Sequence, residues 1–132
     1  MMRIAAGFAA LAVMASAAVA MEPAKTMDSS LGTVLVDQNG MTLYTFDKDQ
    51  KGAAMSACVD KCIQNWPPLL AADGAMAEGA WTIVDVKDAD GAMKKMWAYE
   101  GWPLYLFVKD TKAGDVTGEG MGGVWHVAKP AS

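Results

Sequence analysis

Gly40-Met-Thr-Leu-Tyr-Thr-Phe-Asp-Lys-Asp-Gln-Lys51 aligns without a gap on Gly101-Trp-Pro-Leu-Tyr-Leu-Phe-Val-Lys-Asp-Thr-Lys112, with identity at seven of twelve positions. Trp66 and Trp125 follow the two tyrosines at 22 and 20 residues. A stacked solenoid needs three or more such units, so two copies imply a duplicated, pseudo-symmetric domain. The shared core of each copy is Tyr-x4-Asp: Tyr44 to Asp49, and Tyr105 to Asp110.

Outward from these stretches the pattern is that of short strands. Thr33-Val34-Leu35-Val36 is β-branched and apolar, and Met41 to Phe46 returns after Asp37-Gln38-Asn39-Gly40. Asn-Gly predicts a type I′ hairpin turn, because both central residues of that turn need positive φ. Trp81 to Val86 and Met93 to Tyr99 flank Asp88-Ala89-Asp90-Gly91, Pro103 to Val108 follows Glu100-Gly101, and Val124 to Ala128 closes the chain. Met55 to Trp66 carries apolar residues near helical spacing and is stopped by Pro67-Pro68, which predicts one short helix. The expected fold is mainly β: an antiparallel sheet domain of two tandem pseudo-symmetric repeats, about 32–79 and 80–130, forming a sandwich or small barrel.

Met1-Met2-Arg3 supplies a positive start, Ile4 to Ala20 carries no charge, and Ala18-Val19-Ala20 is the small-x-small pattern of a signal peptidase site. Residues 1–20 are therefore expected to be a signal peptide cleaved after Ala20, and the polar stretch 21–31 a flexible leader. Bulkier residues and about 20 of them would be needed for an anchor. No cysteine follows the signal, so no lipid anchor is expected, and no second apolar segment is long enough to span a bilayer. The chain should reside in the periplasm or outside the cell. Loss of Arg3 moves the net charge from −4 to −5, which argues against nucleic-acid partners, since phosphate neutralisation needs clustered Lys and Arg.

These residues closely resemble a bacterial family of secreted repeats with a Tyr-x4-Asp motif, often described as predicted lipoproteins. Matching stretches are Leu35-Val-Asp-x-x-Gly-Met-Thr-Leu-Tyr, Cys58-x3-Cys62, Asn65-Trp-Pro-Pro-Leu-Leu, Trp97-x-Tyr, Pro103-Leu-Tyr and Trp125-His126. The likeness covers roughly residues 31–130 and departs from the family by lacking the lipidation cysteine. It implies export and the duplicated fold, and it implies no reaction.

Alternation on a strand places Tyr44 with Phe46, and Tyr105 with Phe107, on one face, with Leu43, Leu104 and Leu106 on the other. Asp49 and Asp110 fall beyond the strand ends. Two readings follow. The tyrosine and aspartate of each copy form a lock closing that strand-loop corner, since buried hydroxyls need partners. Alternatively, aromatics of both copies line a ligand groove with the carboxylates at its rim; Phe46, Phe107, Trp66 and Trp125 are then candidate binding residues, as is Trp102, the tryptophan expected to be most exposed.

Cys58 and Cys62 in an exported chain read as a structural disulfide, with metal ligation and redox exchange as the alternatives. His126 is the single histidine, read as a hydrogen-bonded strand residue beside Trp125. With Cys58, Cys62 and Met121 it would make a soft site suited to copper; otherwise no cofactor is expected. There is no Gly-x-Ser-x-Gly elbow and no phosphate loop. The leading reading is a non-enzymatic envelope or periplasmic binding or structural module, with an envelope protein or small ligand as partner. A copper or thiol redox protein using Cys58, Cys62, His126 and Met is the alternative, and an enzyme using Asp and Tyr as acid and base ranks last.

Overall fold

The computed structural model describes residues 22–131; the expected signal segment 1–20 and its cleavage point lie outside them. The described chain is mainly antiparallel β with one short helix, in the order β1 (Lys25–Ser29), β2 (Gly32–Val36), β3 (Tyr44–Phe46), α1 (Lys61–Asn65), β4 (Trp81–Lys87), β5 (Met93–Tyr99), β6 (Trp102–Pro103) and β7 (Trp125–Val127). β1 pairs with β2, β3 with β7, and β4-β5-β6 form a three-stranded sheet. Among the described residues these sheets do not close into a barrel.

Their shortness has a local cause. At two points three chain segments meet in a ring of backbone hydrogen bonds. Leu43 N–H donates to Leu35 O (2.9 Å), Leu35 N–H to Ala128 O (2.8 Å) and Ala128 N–H to Leu43 O (2.8 Å). The second ring repeats this: Leu104 N–H to Trp97 O (3.0 Å), Trp97 N–H to Leu69 O (2.9 Å), and Leu69 N–H to Leu104 O (2.9 Å). Each amide satisfies a different neighbour, which keeps β2, β3 and β7 short, whereas β4 and β5 pair over seven residues with Trp97 turning its amide outward to Leu69. The side chains at these junctions (Leu35, Leu43, Leu69, Leu104 and Ala128) are buried in one apolar cluster, against which Trp81, Trp97 and Tyr99 pack. Tyr44, Phe46, Tyr105 and Phe107 point into a second cluster on the opposite face, as strand alternation requires.

Several local expectations are corrected. Residues 25–29 were expected to be leader but form β1, with Lys25 opposite Val36 and Ser29 opposite Gly32, and Ala24 is buried. Polar residues can hold this strand because it covers only one flank of β2 and keeps most of its side chains in solvent. The helix expected over 55–66 is confined to Lys61–Asn65. Ahead of it, Ser56 N–H donates to Asp85 O (2.8 Å) along β4, and Asp60 holds a φ of 56°, so helical backbone cannot extend through either position. Asn39-Gly40 is not a type I′ turn: only Gly40 has positive φ, and the Asp37 carboxylate accepts the amides of Asn39 and Met41, both at 2.9 Å. The paired positive φ values of that turn occur instead at Glu100 (53°) and Gly101 (87°), between β5 and β6. A Cβ on Gly101 would stand 3.0 Å from Gly52 N, whose N–H donates to Gly101 O (2.8 Å).

The two repeats exchange strands. β3 of the first copy pairs with β7 of the second. In the second copy, Tyr105 bridges Pro68, and Leu106 N–H donates to Pro67 O (2.7 Å), at the end of the first copy. Each copy is completed by the other.

Candidate functional site

Tyr44 and Tyr105 lie back to back at the centre of this exchange. Tyr44 N–H donates to Tyr105 O (2.8 Å) and Tyr105 N–H to Tyr44 O (2.9 Å), an antiparallel pair about a local two-fold axis. Their phenols therefore point toward opposite copies, and the carboxylates they meet are exchanged. Tyr44 Oη donates to Asp110 Oδ2 at 2.6 Å, and Tyr105 Oη donates to Asp49 Oδ2 at 2.7 Å. The sequence suggested a closure within each corner; the geometry ties each corner to the other repeat. Both tyrosines have no exposed surface, and Asp49 and Asp110 are 4% and 6% exposed, which leaves a substrate no approach to them.

Every polar atom of this network has a further partner, as burial demands. Asp49 Oδ1 accepts Ala57 N–H at 2.7 Å. Asp110 Oδ1 accepts Thr117 N–H at 3.0 Å and the Thr117 hydroxyl. Tyr44 Oη accepts Gly118 N–H at 3.1 Å, and Tyr105 Oη lies 2.6 Å from Ser56 Oγ, which in turn accepts Cys58 N–H at 3.1 Å. Burial pushes both phenols well above the usual tyrosine range, helped by the Asp110 hydrogen bond at Tyr44 and the Asp49 charge at Tyr105. Burial also raises Asp49, against the lowering effect of the Ala57 amide and the Tyr105 hydroxyl. The raised values keep both phenols protonated at neutral pH, as donors to Asp110 and Asp49.

Around the network runs a column of four stacked rings: Phe46 on Trp125 (centroids 4.2 Å), Trp125 on Trp66 (3.8 Å) and Trp66 on Phe107 (4.1 Å). First-copy and second-copy rings alternate along it. The tyrosines meet the indoles edge-on, Tyr44 with Trp66 at 5.3 Å and Tyr105 with Trp125 at 5.2 Å. The four rings named from the sequence as candidate binding residues fill this column and are buried, so they present no face to a ligand. Gly118 seals it: a Cβ there would fall 2.7 Å from Trp66 Cη2 and 2.9 Å from Tyr44 Cε2.

Trp102 is half-buried and borders a shallow pocket of about 210 Å³ with Thr45, Val127 and Lys129. Cys58 and Cys62 are joined in a disulfide, Cα to Cα 5.3 Å. His126 is held by carboxylates, with Nε2 2.9 Å from Asp47 Oδ2 and Nδ1 3.2 Å from Glu119 Oε2, and both hydrogen bonds raise its pKa. Met121 lies exposed in the 3-10 turn Met121–Gly123. Among the described residues no three His, Cys, Asp or Glu side chains converge as a metal-holding group. Sequence reasoning missed Ser56, Thr117, Gly118 and Glu119. Small and polar loop residues carry no period, and the one signal available was the clustering of glycines between Gly114 and Gly123.

Residues 25–70 and 85–129 each match the model of a family described as a secreted repeat of unknown function. No curated protein and no solved structure matches the chain. The chain belongs to that secreted-repeat family, carries two copies of its unit, and is an exported protein. No helix among the described residues is long and apolar enough to cross a membrane.

Proposed function

We propose that the protein is a non-enzymatic module of the periplasm or the extracellular space, released by cleavage after Ala20, in which the duplicated Tyr-x4-Asp unit is a structural closure. One observation carries this reading: Tyr44–Asp110 and Tyr105–Asp49 are hydrogen-bonded crosswise and all four side chains are at most 6% exposed. A catalytic acid-base pair needs to reach a substrate proton, whereas a buried, fully partnered pair fixes shape. Such a module acts through its surface, on an envelope protein or a small ligand.

Cross-linking in the exported compartment tests this. A Tyr44→Phe variant should capture the same neighbours as the wild-type chain while melting at a lower temperature. Loss of those neighbours at unchanged stability would make the phenol a contact or reacting group and refute the reading. A second reading, a thiol redox protein, is favoured by the bonded pair Cys58–Cys62 closing a loop of sequence separation 4, too short to add much stability. Its check is the reduction potential of the pair: a value well above about −300 mV supports exchange, and a lower one makes the bond structural.

A further inference from the structure

The exposed aromatic surface of the molecule lies away from the buried column. Trp81 and Tyr99 are opposite each other on β4 and β5, with ring centroids 4.8 Å apart, and Trp97 meets Trp81 edge-on at 6.2 Å. All three are half-buried. They floor an open groove of about 1220 Å³, and the 71–80 loop supplies one wall. Two large apolar side chains border it without cover: Leu70 is 54% exposed and Met76 79%. Its lining also contains Glu22, Asp37 and Glu78, and no lysine or arginine. Among the described residues, neither Glu22 nor Glu78 takes part in an ion pair.

We propose that this groove is a docking site for an extended segment of a protein partner in which Lys or Arg alternates with apolar residues. Aromatic faces attract cations through the ring quadrupole, and do so more strongly when partly desolvated. Asp37 and Glu78, with no lysine or arginine beside them in the lining, add a complementary field that steers and orients a basic chain. The volume exceeds the roughly 300–1000 Å³ typical of small-molecule pockets, and the groove is open to solvent, which suits a chain better than an enclosed ligand. The inference names the partner class for a surface-acting module, and it uses none of the residues in the Tyr–Asp closure.

The test is a titration followed by the five tryptophan indole N–H signals, using the blocked peptide Lys-Leu-Lys-Leu-Lys, its Glu counterpart, and tetramethylammonium. Saturable shifts of Trp81 and Trp97 with the Lys peptide alone, with Trp66 and Trp125 unmoved, are expected. Glu78→Gln and Leu70→Ser should each weaken binding by about 3- to 10-fold, in keeping with the loss of one exposed charge or one half-exposed apolar contact. Val108→Ser, an exposed apolar change outside the groove, should leave it unchanged. Absence of saturation, equal binding of the Glu peptide, or equal shifts and affinity for tetramethylammonium would overturn the proposal. Because none of these variants touches Tyr44, Tyr105, Asp49 or Asp110, failure here leaves the closure to be judged on its own test.

Discussion

Tyr44 and Tyr105 are identical in the repeat but not in their surroundings. Tyr44 Oη accepts a backbone amide, whereas Tyr105 Oη meets the Ser56 hydroxyl, which is itself bonded to Cys58 N–H. Tyr105→Phe should therefore strand two buried partners, Asp49 and Ser56, and cost about 1–3 kcal/mol in denaturant unfolding, as expected for orphaned buried polar groups. A loss near zero would show that water replaces the phenol. His126 carries a pH signature. Its pKa is raised in the fold by the Asp47 and Glu119 hydrogen bonds, so its contribution is complete below the unfolded value of 6.5 and is lost as pH climbs through the higher folded value. The melting temperature should fall as pH rises above 6.5 in the wild-type chain, and this component should vanish in His126→Gln; an unchanged slope would contradict it. The tyrosines and aspartates stood out in the sequence because they recur at one spacing. Their partners did not, because hydrogen bonds made by Ser56 or Thr117 leave no periodic trace.

Among the elements, the segment before α1 is the most strained. Asp60 sits at φ 56° and ψ −123°, and its side chain makes no capping bond at the head of the helix. That conformation is open to glycine and costly for other residues. Asp60→Gly should stabilise the protein by about 1 kcal/mol, strain relief outweighing the added freedom of the unfolded chain; a lower melting temperature would refute the strain. Gly118→Ala should act in the opposite sense, since its methyl has no room beside Trp66 and Tyr44, with a loss of about 1–3 kcal/mol or more from overpacking. Most strand positions were legible from β-branched and aromatic runs. The strand expected over Pro103 to Val108, however, is confined to Trp102–Pro103, because Tyr105 and Leu106 spend their amides on Tyr44 and Pro67 instead of on a continuing ladder. β1 was missed because a polar edge strand resembles a leader, and the Asp37 turn was mistyped because a side-chain oxygen, absent from a φ argument, captures its amides.

At the scale of the whole molecule the duplication was plain, yet the alignment of two copies only establishes which residues are equivalent. It says nothing about whose aspartate each tyrosine meets, and here symmetry permits either choice. The exchanged arrangement follows from the mutual Tyr44–Tyr105 backbone pair, a contact between residues separated by more than the length of one repeat. A fragment ending at residue 79 lacks the partner of β3 and half of the ring column, and so should remain unfolded by circular dichroism, while the full chain unfolds in one transition. The crosswise bonds themselves are tested by double-mutant cycles in urea, combining Tyr44→Phe with Asp110→Asn and, separately, with Asp49→Asn. Coupling of about 0.5–3 kcal/mol is predicted for the first pair and near-additivity for the second. Coupling of Tyr44 to Asp49, with none to Asp110, would mean that each repeat closes upon itself.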